Sequence, residues 1–186
     1  MRVGVVETMV RPQNMLQLPD CDKLFRRFFD RWYSDDDRQR KGFPATRPDA
    51  IQVPEYVGKS ALQVTPLTRG ARAEVTKQIG TMQGAASEDW NSYFAVKKPI
   101  SLRWIDAFDK HYDRNRVRSV IKTSDPTDFS NDYVVSCCEF GAVLGHVFCR
   151  LNRRLRWLHD WPYWESAIFD PKSGYVIPVF IGPSRK

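Results

Sequence analysis

The chain has 186 residues, of which 42% are hydrophobic and 27% charged, and these ordinary globular proportions argue against a wholly disordered chain. The formal net charge of +7 favours an acidic partner, such as a nucleic acid, an acidic protein or an anionic surface, without indicating a fold. The four cysteines include no CxxC pair and are too few for a disulfide scaffold. The length is enough for one domain with a core, so we expect a single domain over residues 1–186. Because the first residues lack the layout of a signal peptide, we expect a cytoplasmic location.

The N-terminal part of the chain is predicted to contain one clear helix and a long irregular segment. After a strand or extended lead-in over residues 1–18, Asp20 has the residue type of an N-cap, and apolar side chains then recur at helical spacing from Cys21 to Trp32. Residues 34–60 are polar and contain three prolines, so they predict an irregular surface excursion. Its three consecutive aspartates, residues 35–37, lack the spacing of a calcium-binding loop and are expected to be solvated.

The middle of the chain is predicted to be a series of short helices. Residues 61–65 are expected to form a short strand and residues 68–79 a helix. The following GTMQGAAS predicts a flexible break, and another short helix is expected after Ser87. PISLRWIDAFDKHY predicts a helix capped by Ser101, and RVRSVIK predicts a further helical segment that stops before Pro126.

The apolar stretch that follows is predicted to be a central buried helix over residues 131–155. On a helical wheel its apolar arc is centred on Cys137 and is roughly 200° wide, which is wider than a surface helix needs. The presence of Glu139 and His146 argues against a membrane span. A strip of small residues, which would let a neighbouring element approach closely, comprises Cys138, Ala142, Gly145 and Cys149. The sector expected to face solvent holds Ser136, Glu139, His146, Arg150, Arg153 and Arg154.

Beyond this helix the hydrophobic period changes from helical to alternating, which predicts a β-meander over residues 155–180. DPKSG predicts a hairpin turn in which Gly174 supplies the left-handed residue. Pro178 cannot donate to a ladder and places the last strand at an edge. Together these elements predict an α+β fold with N-terminal helices packed around a central buried helix and a small antiparallel β-sheet at the C-terminus.

The cysteines are expected to act as buried packing residues, with Cys137 facing the core. Cys138 and Cys149 are eleven residues apart, about 16 Å along a helix, which is too far to share a zinc ion. We therefore predict no metal site and no cofactor. A catalytic or redox cysteine served by His111 or His159 stays open as an alternative.

Glu139 and His146 share a helical face but are seven residues apart, about 10 Å along the axis. We expect this face to be solvated, and a pair of ligands bridged by another group is the alternative. The chain contains no GxxxxGK[ST], GxGxxG, GxSxG or HExxH motif. The enzyme hypothesis therefore depends on a cysteine or on the Glu139/His146 face alone.

Basic and aromatic side chains follow one another between residues 150 and 164. The arginines would complement the dipole at a helix C-terminus or bind an acidic partner. The aromatic residues would cover the sheet as core, or form a contact surface or stacking platform. The candidate binding residues are Arg150, Arg153, Arg154, Arg156, Trp157, Trp161, Tyr163 and Trp164.

The succession of FGAVLG, a basic helix end, RWLHDWPYWESAIFDPKSG and VIPVF resembles a pattern in uncharacterised bacterial proteins. The resemblance covers about 50 of the 186 residues, and implies a bacterial α+β domain of unknown function. It transfers no catalytic residue. Our leading hypothesis is a non-catalytic protein that acts through protein contacts, such as an immunity or accessory factor, with nucleic-acid binding and an enzyme as alternatives.

Overall fold

The computed structural model describes residues 21–40 and 67–180. The predicted α+β class is confirmed, because helices occupy most of this part of the chain and three antiparallel strands follow them. The helices are α1 (Cys21–Phe28), α2 (Asp35–Arg40), α3 (Arg69–Phe94), α4 (Leu102–His111), α5 (Arg114–Thr123) and α6 (Asp132–Leu151). The strands are β1 (Arg156–Leu158), β2 (Ala167–Phe169) and β3 (Val176–Pro178), and 3₁₀ turns lie at Asp30–Trp32 and Tyr163–Glu165.

Helix α6 is the central element, as predicted, and α3, α4, α5, β1 and β2 all contact it. It begins where the sequence indicates, since the side chain of Asn131 accepts a hydrogen bond from the backbone N–H of Val134 at 3.0 Å. It ends at Leu151 rather than at residue 155, because Asn152 is extended (φ −130°, ψ 103°) and starts the turn into β1. By length and composition alone α6 would suit a membrane span, but much of its surface is buried within the structure, as in a core helix.

Helix α3 is continuous, so the flexible break predicted at residues 80–87 is wrong. A Cβ added to Gly80 or Gly84 would meet no atom of the described residues within 4 Å, and both glycines lie on the exposed side of the helix. On the covered side, Ile79 and Trp90 are buried. Packing against α6 offsets the roughly 1 kcal/mol that each glycine costs in a helix interior.

Two hydrophobic clusters flank α6. The larger lies between α1, α3, α6 and the sheet, and its largest members include Phe25, Phe28, Phe29, Tyr33, Tyr163, Trp164 and Phe180. The smaller lies between α3, α4 and α6, and consists of Ala86, Trp90, Val96, Ile100, Trp104, Val143 and Val147. Aromatic rings therefore fill both sides of the central helix.

The sheet has the predicted meander order β1-β2-β3, with Trp157 opposite Ile168 and Ile168 opposite Ile177. In the β2–β3 hairpin Gly174 has φ +76°, the left-handed conformation that its turn requires. Strand β3 is an edge strand that ends at Pro178, as expected. The stretch YWESAIFD is not wholly extended, because its first residues form the 3₁₀ turn and β2 begins only at residue 167.

The sheet and the segment that follows it each approach α6 closely at a glycine. A Cβ on Gly145 would lie 2.3 Å from the indole of Trp157, and a Cβ on Gly141 would lie 2.7 Å from the Cα of Phe180. Both distances are shorter than real Cβ contacts. The prediction that Gly145 lets a neighbouring element approach is therefore confirmed, and the neighbouring element is β1.

The excursion predicted over residues 34–60 begins with a helix, so that part of the prediction is wrong. The backbone N–H of Asp37 donates to the Ser34 hydroxyl at 3.1 Å, which caps α2. The aspartates at 35–37 then occupy the first turn of α2, where the helix dipole favours carboxylates. Residues 41–60, the lead-in over 1–18 and the strand predicted at 61–65 lie outside the described residues.

Candidate functional site

Glu139 is buried, with 4% of its surface exposed, so its predicted position on a solvated face is wrong. Helix α3 covers it, and the indole N–H of Trp90 donates to Glu139 Oε2 at 2.9 Å. Its Oε1 is buried and has no hydrogen-bond partner among the described residues. Burial raises the pKa of Glu139 to about 7; the Trp90 hydrogen bond opposes this shift, and the nearby charge of Asp89 adds to it.

Within the described residues, no hydrogen bond links His146 to Glu139. His146 is half-buried, and burial together with the charge of Arg150 lowers the pKa of its imidazole. Glu139 already bonds to Trp90 on α3, and within the described residues no group of three or more His, Cys, Asp or Glu side chains could hold a metal ion. The arrangement gives no support to a bridged ligand pair.

Cys138 and Cys149 of α6 are positioned for packing rather than reactivity. Cys138 is the most buried, with 1% of its surface exposed, whereas Cys137 is half-buried. The helical wheel predicted that Cys137 faces the core, but the cysteine that does so is Cys138. Burial raises the pKa of Cys138 to about 12, which the hydrogen bond with Tyr163 partly opposes. Burial also raises the pKa of Cys149. These shifts disfavour the thiolates that nucleophilic catalysis needs.

The other two histidines contact groups other than thiols. The ring of His111 stacks on Phe94, with centroids 4.6 Å apart. His159 Nε2 lies 3.3 Å from the Thr76 hydroxyl of α3. Neither has a hydrogen bond with a cysteine in the described part of the chain, so neither supplies there the nucleophile–base contact that a cysteine enzyme needs.

Two aromatic candidates for binding belong to the core. Tyr163 and Trp164 are only 6% and 8% exposed, and the indole N–H of Trp164 donates to the Tyr33 hydroxyl at 3.1 Å. That hydroxyl in turn donates to Glu165. The interpretation of WPYW as core covering a small sheet therefore holds for these two rings, which cannot stack on a ligand from solvent.

The remaining aromatic candidates are half-buried. The ring of Trp157 lies against Gly145 and has its centroid 5.9 Å from that of Phe180. Trp161 packs against the larger cluster. Both rings thus contribute mainly to holding the sheet on the helices.

The arginine candidates, in contrast, are exposed. Arg150 lies in the last turn of α6, Arg153 and Arg154 follow the helix, and Arg156 begins β1. Among the described residues, a loose and partly exposed ion pair joins one of them to the protein, with Arg154 Nη2 3.9 Å from Asp170 Oδ2. We call these four residues the basic end of α6.

A groove of about 360 Å³ adjoins the basic end of α6. The start of α4 and its preceding loop form one side, and the last turns of α6 form the other; we call it the α4–α6 groove. Ile100 and Val147 are its buried floor. Leu102 and Leu151 are large apolar side chains that are 53% and 62% exposed. The lining residues are Ile100, Ser101, Leu102, Arg103, Val147, Arg150 and Leu151.

The groove cannot be predicted from local sequence patterns, because its two sides are nearly fifty residues apart in the chain. A local signal was nevertheless present. Leu102 and Leu151 each lie beside an arginine, Arg103 and Arg150 respectively. A leucine next to an arginine at a helix end does not by itself indicate a binding surface. The surface is recognisable only in the folded protein, where the two leucine–arginine pairs lie at one groove.

Comparison of the chain with family models, with curated proteins and with solved structures returned no match. The candidate site is therefore defined by its own geometry. Its chemical elements are an apolar floor, two exposed leucines and a set of exposed guanidinium groups.

Proposed function

We propose that this protein is non-catalytic and acts by binding an acidic partner protein at the basic end of α6. The observation that carries the proposal is the contiguity of exposed arginines with exposed leucines at the α4–α6 groove. Protein interfaces combine apolar side chains with arginine in this way. An immunity or accessory factor is the kind of protein that such a surface suits.

The chemistry of the ionisable groups supports a binding role over an enzymatic one. The buried thiol of Cys138 has a raised pKa, and Glu139 is enclosed by α3 with its Oε2 bonded to Trp90. A catalytic acid or nucleophile must reach its substrate. Glu139 and Cys138, whose pKa values are raised, lie inside the packed helices, and the exposed surface at the groove carries arginine and leucine instead.

Nucleic-acid binding is less well supported by the same surface. The arginines would contact phosphates, but single-strand binding also needs accessible aromatic rings for base stacking. Tyr163 and Trp164 are buried, and Trp157 lies against Gly145. The exposed apolar side chains beside the arginines are leucines, which favour a protein partner.

The test is photocrosslinking in cells with a photoreactive amino acid at Arg153, and at Thr81 on the exposed side of α3 as the control. We expect position 153, but not position 81, to give an adduct that proteases destroy and nucleases leave intact, and mass spectrometry should identify an acidic protein in it. A nuclease-sensitive adduct, or identical results at both positions, would overturn the proposed function.

A further inference from the structure

We infer that the α4–α6 groove binds a short acidic segment of a partner protein, with an apolar side chain of that segment inserted between Leu102 and Leu151. This inference rests on the proposed function and deepens it, because it assigns the contact to a defined groove and a defined peptide chemistry.

The groove is suited to one or two side chains. Its volume of about 360 Å³ is near the lower end of the roughly 300–1,000 Å³ of small-molecule pockets. Its floor is apolar, since Ile100 and Val147 belong to the cluster between α3, α4 and α6. The exposed rims, Leu102 and Leu151, would lose contact with water when an apolar side chain is inserted between them.

The positive charge of the groove favours acidic residues of the partner segment on either side of the inserted side chain. Arg103 and Arg150 lie on opposite sides of the groove, one on α4 and one on α6, and both are exposed. None of the described residues that line the groove is acidic. Carboxylates on either side of the apolar anchor would therefore meet a guanidinium at each rim, which is electrostatic complementarity.

A second copy of this chain fits the groove poorly. A two-fold interface built on this surface would bring the same patch of each copy together. Arg103 and Arg150 of one copy would then approach the same arginines of the other, and such like-charge contacts oppose association. The groove thus favours a segment whose charge is opposite to its own.

The inference can be tested by selecting peptides from a displayed random twelve-residue library on the purified full-length protein. We expect the selected peptides to share a Leu, Ile or Phe flanked by Asp or Glu. For a fluorescein-labelled selected peptide, Leu102→Ser and Leu151→Ser should each raise Kd about tenfold, which corresponds to losing one well-packed anchor contact. Arg150→Glu should also weaken binding, and binding to the unmodified protein should decline with added salt.

Tyr93→Ser is the matched control, since Tyr93 is 75% exposed on α3 and does not line the groove. It should leave Kd unchanged, and thermal unfolding should show that all variants remain folded. Selection of no acidic peptides, or an unchanged Kd in both leucine variants, would overturn the inference. The inference would also be overturned if the protein associates with itself and Leu151→Ser abolishes this association. The same holds if single-stranded DNA competes with the peptide for the site that depends on the leucines. If the protein adduct at position 153 still forms in the leucine variants, the inference about the groove is wrong, but the proposed function is not contradicted.

Discussion

The close approach of the C-terminal segment to α6 leads to a sharp prediction for Gly141→Ala. The added Cβ would lie 2.4 Å from Cδ1 and 2.7 Å from Cα of Phe180, whereas ordinary contacts are 3.4–4 Å. A rotamer change can move the ring but not the Cα, so the backbone of the C-terminal segment must shift. Phe180 is only 4% exposed, and its ring contacts Tyr163 with centroids 5.7 Å apart. Overpacking of this kind costs about 1–3 kcal/mol.

The matched control is Gly80→Ala on α3. Both substitutions replace a helical glycine and should gain up to about 1 kcal/mol in helix propensity, but a Cβ at Gly80 meets no atom within 4 Å in the part of the chain that the structure describes. We therefore expect the Gly80 variant to be slightly more stable than the unmodified protein. The Gly141 variant should be less stable than the Gly80 variant by about 1–3 kcal/mol.

Urea unfolding followed by tryptophan fluorescence, with circular dichroism as a check on helix content, measures this difference. Because both variants gain the same helix propensity, the difference between their free energies of unfolding gives the steric cost at Gly141. Equal midpoints for the two variants would show that Phe180 does not approach α6 at Gly141, and the docking of the C-terminal segment on the central helix would then be wrong.

Three further predictions concern α6. Gly145→Ala should destabilise the protein less than Gly141→Ala in the same urea assay, because the new Cβ meets outer ring atoms of Trp157, which can shift. A larger loss of unfolding free energy in Gly145→Ala than in Gly141→Ala would contradict this expectation. Glu139 has a pKa raised from 4.5 to about 7, so its contribution to stability should be greatest below pH 4.5 and fall as pH rises through 7. Glu139→Gln can still accept from the Trp90 indole and should raise the free energy of unfolding at pH 8 by about 1–3 kcal/mol, whereas a variant with the original pH dependence would refute the assignment. Cys138, with a pKa raised to about 12, should resist iodoacetamide at pH 8 until urea unfolds the chain, as mass spectrometry of the labelled peptides would show.

Local sequence signals predicted the elements whose boundaries are set by nearby residues. The start of α6 follows from the cap at Asn131, and the β2–β3 turn follows from Gly174 and its left-handed backbone. The exposure of Arg153 and Arg156 agrees with the expected basic surface. In each case the determining interaction lies within a few residues of the position concerned.

The errors arose where distant parts of the chain decide the outcome. The glycines of α3 indicated a break, but burial of Ile79 and Trp90 against α6 keeps the helix continuous. A helical wheel assigned Glu139 to solvent by polarity alone. It could not show that α3 would cover this carboxyl and bring an indole N–H to it.

The sequence by itself therefore determined the α+β class, the central position of α6, the meander and the presence of basic residues beyond the helix. Only the tertiary structure decided which cysteine is buried, which aromatic rings are core, and that Leu102 and Leu151 lie at one groove. The physical reason is that periodicity and capping act over a few residues. Burial and the pairing of separate helix ends depend on how whole elements pack against one another.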